Sequence, residues 1–142
     1  MKFTFIKCLF IGLSFMTTTT ALAEKVVSAK DMNIVGDGKT MNTKAIQKAI
    51  DFCSAQKGGG RLVFPKGEYL TGTLVMKSNV TLEVEKDAVT YGSTNPYDYY
   101  ALEETKGKDN SALALIVADK VQNIKIIGEG LIDGNGRELA LN

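Results

Sequence analysis

The sequence predicts an all-β protein of the parallel β-helix class, whose first coils are covered by one N-terminal α-helix. Three observations predict this fold. From Arg61 onward, short segments with apolar residues at every second position alternate with Gly, Pro, Asn and Asp turns. These segments repeat at about the length of one coil, and a single amphipathic helix precedes them. A β-sandwich and an antiparallel barrel are the alternatives, but no two-residue hairpin loop such as Asn-Gly joins alternating strands.

The first residues predict export. Met1–Lys7 carries two lysines and no acid, Cys8–Phe15 is almost wholly apolar, and Ala21–Ala23 has small residues at both ends. This order is typical of a secretory signal peptide, so we expect residues 1–23 to be removed and residues 24–142 to form the secreted or periplasmic domain. A membrane anchor would need roughly 20 apolar residues. Four threonines interrupt this shorter run, and we expect no membrane attachment after cleavage.

Composition excludes several classes of function. Removal of Lys2 and Lys7 leaves 15 of the 17 basic residues against 16 acids, so the mature domain has a net charge of about −1. We therefore expect no nucleic-acid partner. The chain has no histidine, which excludes a Ser-His-Asp triad, a Cys-His pair and the usual zinc sites. Cys53, the one cysteine of the mature domain, is interpreted as a small buried hydrophobic residue, with a bridge to a cysteine elsewhere as the alternative.

The clearest helix spans Asn42–Gln56. Its apolar residues recur at helical spacing, with Ile46 and Ile50 among those expected to be buried over the first coil. Asn42 or Thr43 is expected to cap its first turn. Gly58–Gly60 should end it, because glycine readily adopts the left-handed conformation.

The segments before this helix predict a strand and turns. Lys25–Ile34 is predicted as a short strand followed by a turn. Gly36–Thr40 ends like a phosphate-binding loop, but the earlier glycine of that motif would fall on Asn33. We therefore interpret Gly36–Thr40 as turn residues.

The strand region contains a weak repeat. The segment Asn79–Leu82 matches Asn123–Ile126, 44 residues later, and 20 of the intervening residues form the polar and aromatic stretch Ser93–Ala112. Subtraction of that stretch leaves 24 residues, about one coil of a strand-and-turn solenoid. Residues 127–136, IGEGLIDGNG, place Asp133 and Asn135 two apart, but a calcium loop would need further acids and a closing Glu. We interpret them as the corner of a coil.

Residues 36–89, GDGKTMNTKAIQKAIDFCSAQKGGGRLVFPKGEYLTGTLVMKSNVTLEVEKDAV, resemble the N-terminal region of glycoside hydrolase family 28, the polygalacturonases and rhamnogalacturonan hydrolases. The matching motifs, in the order typical of that family, are Gly36–Gly38, Ala45–Gln47, Gly58–Gly60, Leu62–Tyr69 and Gly130–Gly136. The resemblance covers almost all of the mature domain and implies the N-terminal portion of a right-handed parallel β-helix. Asn42 stands where the family more often has an aspartate.

The resemblance also implies a function that the chain lacks the residues to perform. Relatives hydrolyse α-1,4 bonds of pectic polysaccharide by inversion without a metal or cofactor. They use an Asn-Thr-Asp segment, an Asp-Asp pair, a Gly-His-Gly histidine and an Arg-x-Lys motif. None of these is present, and Lys44 follows Asn42-Thr43 where the first would need an aspartate. We therefore assign no catalytic or metal-binding residue and expect the chain to be inactive alone.

Two other classes of function stay open. The first is a lyase-like or epimerase-like β-helix enzyme. The second is a non-catalytic carbohydrate-binding β-helix, in which Tyr97, Tyr99 and Tyr100 would contact sugar; the alternative for these residues is loop packing. The acid pairs Glu83/Glu85 and Glu103/Glu104 are interpreted as solvated charge. Because no segment after Gly136 looks long enough to cover the last coil, we also expect self-association through that end.

Overall fold

The computed structural model describes residues 21–100 and 113–137, and its strands form three sheets in which every pairing is parallel. The elements are β1 (Lys25–Ser28), β2 (Asp37–Met41), α1 (Thr43–Ser54), β3 (Gly60–Phe64), β4 (Gly67–Thr71), β5 (Leu74–Val75), β6 (Val80–Val84), β7 (Ala88–Gly92), β8 (Ile116–Val117), β9 (Lys125–Ile127) and β10 (Leu131–Asp133). Short 3₁₀ turns lie at Ala29–Met32 and Pro96–Asp98.

The strand order shows successive coils stacked on one another. Sheet A has the order β1-β3-β6-β9, sheet B the order β2-β4-β7-β10, and sheet C pairs β5 with β8. Each strand therefore pairs with the equivalent strand of the next coil rather than with its neighbour in sequence. This is a right-handed parallel β-helix, and the predicted fold class is confirmed.

Inward side chains of each sheet stack in register to form the core. In sheet A, Leu62 pairs with Leu82 and Leu82 with Ile126. Leu62 and Leu82 are almost fully buried, while Ile126 in the last described coil is 48% exposed. Phe64 packs edge-on against Tyr69, with ring centroids 5.2 Å apart. Val80, Leu82 and Val84 of β6 are buried and face one way, as predicted, but Thr81 on the other face is also buried, where its hydroxyl donates to Glu24.

The helix α1 covers the first coil, as its apolar spacing predicted. Ile46 and Ile50 are fully buried, and the helix packs mainly against β3. Cys53 is also buried, and burial raises the pKa of its thiol to about 11, so it is a small hydrophobic residue rather than a reactive one. A Cβ at Gly60 would lie 2.5 Å from the Cβ of Cys53, so only glycine permits this close approach.

The prediction that Asn42 or Thr43 caps α1 was wrong, since neither side chain bonds to the first turn. The amide Nδ2 of Asn42 donates to the carbonyls of Val35 and Thr40, and its Oδ1 accepts from the Val35 N–H at 2.8 Å. An ionised aspartate could not donate these bonds. The Thr43 hydroxyl accepts from the Gly72 N–H at 2.7 Å.

The ends of the helix and the segment before it also differ from the predictions. The helix ends at Ser54 rather than Gln56, and the left-handed residue that follows is Gly59, with φ 75°. Gly36–Thr40 is largely strand rather than turn, because Asp37–Met41 pairs with β4 through an irregular register. The Asp37 carboxylate accepts the N–H groups of Lys39 and Thr40 within this irregularity, which combines features of a strand and a turn.

The 44-residue repeat corresponds to one coil plus its inserted loop. Asn79 and Asn123 occupy the same position in successive coils, both with positive φ, and Asn123 Nδ2 donates to Asn79 Oδ1 at 3.0 Å. The predicted corner at residues 127–136 contains a turn around Gly128, with φ 115°, and a second turn at Asn135. The strand β10 lies between these turns, so the segment is two corners with one short strand between them.

Candidate functional site

The most elaborate surface feature is the segment 93–100, which we call the tyrosine loop. It follows β7 and folds back onto the turn between β4 and β5. Its backbone is anchored at both ends: the Ser93 N–H donates to the Thr71 carbonyl at 2.9 Å, and the Tyr100 N–H donates to the Thr73 hydroxyl at 3.2 Å. Between these points the Asp98 carbonyl accepts the Thr73 N–H at 3.3 Å.

Polar side chains fix the interior of the tyrosine loop. The Asn95 side chain accepts from the Tyr97 N–H at 3.1 Å and begins the Pro96–Asp98 turn. The Ser93 hydroxyl donates to the Asp98 carboxylate and accepts the Asn95 N–H. Because nearly every residue of the loop makes such a bond, its conformation is defined before any ligand binds.

The three tyrosines that the sequence singled out have different environments. Tyr99 is 8% exposed, its hydroxyl donates to the Ser93 carbonyl at 2.8 Å, and it packs on Gly92, so it is a loop-packing residue. Tyr97 is 92% exposed and Tyr100 is 46% exposed. The structure therefore divides the candidates, leaving two rings available to a partner.

A charged network that the sequence did not reveal lies on the outward face of sheet A. Arg61 donates to Glu24 through Nε and Nη2, at 2.9 and 2.7 Å, and to Glu83 through Nη1 at 3.1 Å. The Thr81 hydroxyl donates to Glu24 at 2.8 Å. The pKa of Glu24 is lowered mainly by the Thr81 hydrogen bond and then by Arg61. These residues are far apart in sequence and come together only through the parallel register of sheet A, so no local sequence pattern predicts the network.

The other candidate acids are not arranged as a catalytic pair. Glu83 bonds to Arg61, while Glu85 is exposed in the turn before β7. Glu103 and Glu104 lie outside the described residues. Asp133 accepts the Asn135 N–H at 2.9 Å, and the Asn135 amide donates to the Gly92 carbonyl, so both stabilise the corner. In residues 21–100 and 113–137, no group of three His, Cys, Asp or Glu could coordinate a metal ion.

The same described ranges contain no helix long and apolar enough to cross a membrane. The predicted signal peptide falls almost wholly on residues 1–20, which lie outside them. Its predicted cleavage site is described. Ala23 and Leu22 lie against Gly58, where an added Cβ would be 2.4 Å from the Ala23 carbonyl oxygen. Glu24, the next residue, belongs to the network on sheet A.

The stacked parallel strands define a right-handed β-helix with a helix over the first coil. Residues 26–134 match the family described as "Rhamnogalacturonase A/epimerase, pectate lyase-like". The chain belongs to this family, and the resemblance to glycoside hydrolase family 28 is confirmed.

Individual relatives agree with the family assignment. The chain is 40% identical over 131 residues to an exo-poly-alpha-D-galacturonosidase of Dickeya chrysanthemi. This match covers 85% of the chain and 21% of that protein. It is 34% identical to a probable polygalacturonase of Vitis vinifera, over 77% of the chain and 24% of the relative. The family 28 exopolygalacturonase of Yersinia enterocolitica superposes with a TM-score of 0.65 at 38% identity, covering 80% of the chain and 21% of that structure. The chain thus spans about a fifth to a quarter of the length of these relatives.

Proposed function

We propose that this chain is the N-terminal part of an exported glycosidase that hydrolyses a pectic polysaccharide of the polygalacturonate class. The similarity to the Dickeya exo-poly-alpha-D-galacturonosidase over most of the chain is the observation that carries the proposal. The alternative is a lyase or an epimerase, and it is supported only by the description of the family, which names both. Four relatives that match over 114 to 131 residues at 34–40% identity carry galacturonosidase or polygalacturonase names, whereas an alginate lyase of Azotobacter vinelandii, at 44% identity, matches over only 61 residues. The longer matches favour hydrolysis.

The proposed chemistry is inversion at the anomeric carbon. One carboxylic acid protonates the leaving oxygen while carboxylates activate a water on the opposite face, across a gap of about 6.5–9.5 Å. The aspartate and histidine motifs of the family are absent from these 142 residues. The proposed contribution of this region is structural: α1 covers the first coil, and the stacked sheets A, B and C form a template on which later coils would be added.

The test of the proposal begins with the coding sequence downstream of Asn142. We expect Asn-Thr-Asp, Asp-Asp, Gly-His-Gly and Arg-x-Lys segments there, and the protein that includes them should release reducing ends from polygalacturonate. Proton NMR should show the inverted anomer as the first product. Products with a 4,5-unsaturated end, identified by the ultraviolet absorbance of the conjugated carboxylate, would instead identify a lyase and overturn the proposal.

The 142-residue chain alone is expected to have no activity. Purified chain should release no reducing ends from polygalacturonate above an empty-vector control, since it carries neither a histidine nor the aspartate motifs. The matched positive control is the protein that contains the downstream motifs, at the same molar concentration. Hydrolysis by the short chain would show that the described coils contain a catalytic group of another kind.

We also propose export with cleavage between Ala23 and Glu24. The first backbone bond of sheet A, from the Lys25 N–H to the Gly59 carbonyl at 3.0 Å, begins just after this point. Intact-mass and N-terminal peptide analysis of the periplasmic or secreted product should therefore give Glu24 as the first residue. Ala23→Lys should block cleavage and leave a heavier precursor, because the peptidase requires a small residue there. A product that retains Met1 would contradict the proposal.

A further inference from the structure

Residues 71–75, which comprise the end of β4, the turn after it and β5, anchor two separate surface elements, and we call these residues the 71–75 turn. On one side it binds α1: the Thr43 hydroxyl accepts the Gly72 N–H, and the Gln47 side chain bonds to both the N–H and the carbonyl of Val75 at 2.9 Å. On the other side the same turn binds the tyrosine loop through Thr73. The helix and the loop are therefore fixed relative to each other by adjacent residues of a single turn.

The 71–75 turn is packed tightly against the backbone of the tyrosine loop. A Cβ at Gly72 would lie 2.0 Å from the Asp98 carbonyl oxygen, so the loop backbone is packed directly on the glycine. The exposed rings of Tyr97 and Tyr100 consequently belong to a backbone that is held by Thr71, Thr73 and its own side chains. A tyrosine ring on such a backbone offers a large amphipathic contact while losing little conformational entropy on binding.

The neighbouring exposed face of α1 carries Lys44, Lys48 and Asp51, so its net charge is +1. Lys44 and Lys48 lie on the solvent side of the helix, one turn apart, and Lys44 directly follows the Thr43 that binds Gly72. Tyr100 lies beside this helix because its N–H bonds to Thr73, next to the Gly72 that bonds to Thr43. Burial and then the negative charge of Asp51 raise the pKa of Tyr100. Two aromatic rings and two lysines thus lie on elements that share one anchoring turn.

We propose that Tyr97 and Tyr100 together with Lys44 and Lys48 form a binding surface for an acidic polysaccharide, outside any catalytic centre. Pyranose rings present C–H faces that stack on aromatic side chains, and uronate carboxylates pair with ammonium groups. The rings are separated by the buried Tyr99 and the half-buried Asp98, so they do not form the continuous apolar patch that a protein partner of standard size would require. The identification of the sugar as a pectic uronate rests on the proposed function.

Binding of polygalacturonate oligomers to residues 24–142, measured by isothermal titration calorimetry at low ionic strength, tests this surface. Tyr97→Ala and the double variant Lys44→Gln/Lys48→Gln should each raise Kd by roughly tenfold, the size of a moderate contact at a binding hot spot. Tyr97→Trp keeps a ring and should bind like the wild type. The lysine effect should diminish with added salt while the Tyr97 effect persists.

The matched control is Lys66→Gln/Lys86→Gln, which removes the same charge from exposed residues in the turns between sheets A and B, away from the 71–75 turn. This variant should leave Kd unchanged. Equal affinity of the wild type, Tyr97→Ala and Lys44→Gln/Lys48→Gln would overturn the inference, as would the absence of binding to any acidic polysaccharide. Binding of a sulfated galactan but not of polygalacturonate, with the same sensitivity to the variants, would support the surface and count against the proposed pectic substrate.

Discussion

Ile50→Asp is expected to unfold the N-terminal coils. Ile50 is fully buried on α1, in a cluster that includes Ile46, Leu62 and Met76. An unpaired carboxylate there must be desolvated or protonated, at a cost on the order of several kcal/mol. Domains of this size are stable by only about 5–15 kcal/mol, so the helix should detach and the first coil should lose its cover. Circular dichroism during thermal unfolding and limited proteolysis should report the loss of structure.

Two variants separate the loss of burial from other effects of the substitution. Lys48→Asp places the same residue on the exposed face of α1 and should change the melting temperature only slightly. Ile50→Val removes one methylene and should cost about 0.5–1.5 kcal/mol. If Ile50→Asp melts like the wild type, α1 does not cover the first coil, and the described packing is wrong.

Residues 24–142 by themselves are expected to self-associate, and we propose that strands β9 and β10 form the contact. Within residues 21–100 and 113–137, these strands end sheets A and B, with no further strand beyond them. Their side chains include Ile126, Ile127 and Leu131, which are 48%, 41% and 54% exposed. Free strand edges beside exposed aliphatic residues pair readily with another chain. Light scattering across a dilution series should show a mass that rises with concentration.

Substitutions at the exposed end test the location of the contact. Ile126→Lys/Leu131→Lys should shift the chain toward monomer, because lysine on an edge opposes pairing. Val26→Lys/Val35→Lys makes the same chemical change at exposed residues of β1 and of the segment before β2, and should leave association unaltered. A wild-type chain that stays monomeric at all concentrations and melts cooperatively would contradict the proposed contact.

The sequence predicted the secondary-structure elements that are specified by the periodicity of neighbouring residues. The period of 3.6 identified α1 and its buried Ile46 and Ile50, and the period of two identified which side of β6 faces the core. Local reasoning failed where a side chain had a better partner elsewhere. Asn42 looked like a helix cap, but its amide bonds to backbone groups of Val35 and Thr40 instead, and the turn signals of Gly36–Thr40 occur within an irregular strand. Propensity at these positions was overridden by tertiary contacts.

The sequence by itself determined the class of fold, the family and the absence of the family's catalytic motifs. Periodicity, turn residues and motifs are properties of short segments and can be recognised without the tertiary structure. The tertiary structure decided which of the three adjacent tyrosines is buried and which lysines share an anchoring turn with the other two. It also brought Arg61 between Glu24 and Glu83, which lie 37 and 22 residues away from it in sequence. These relations depend on the register between coils and on where the inserted loop folds back. Both follow from packing of the whole chain, since a shift of one residue in a parallel ladder would turn every side chain of the strand to the other face.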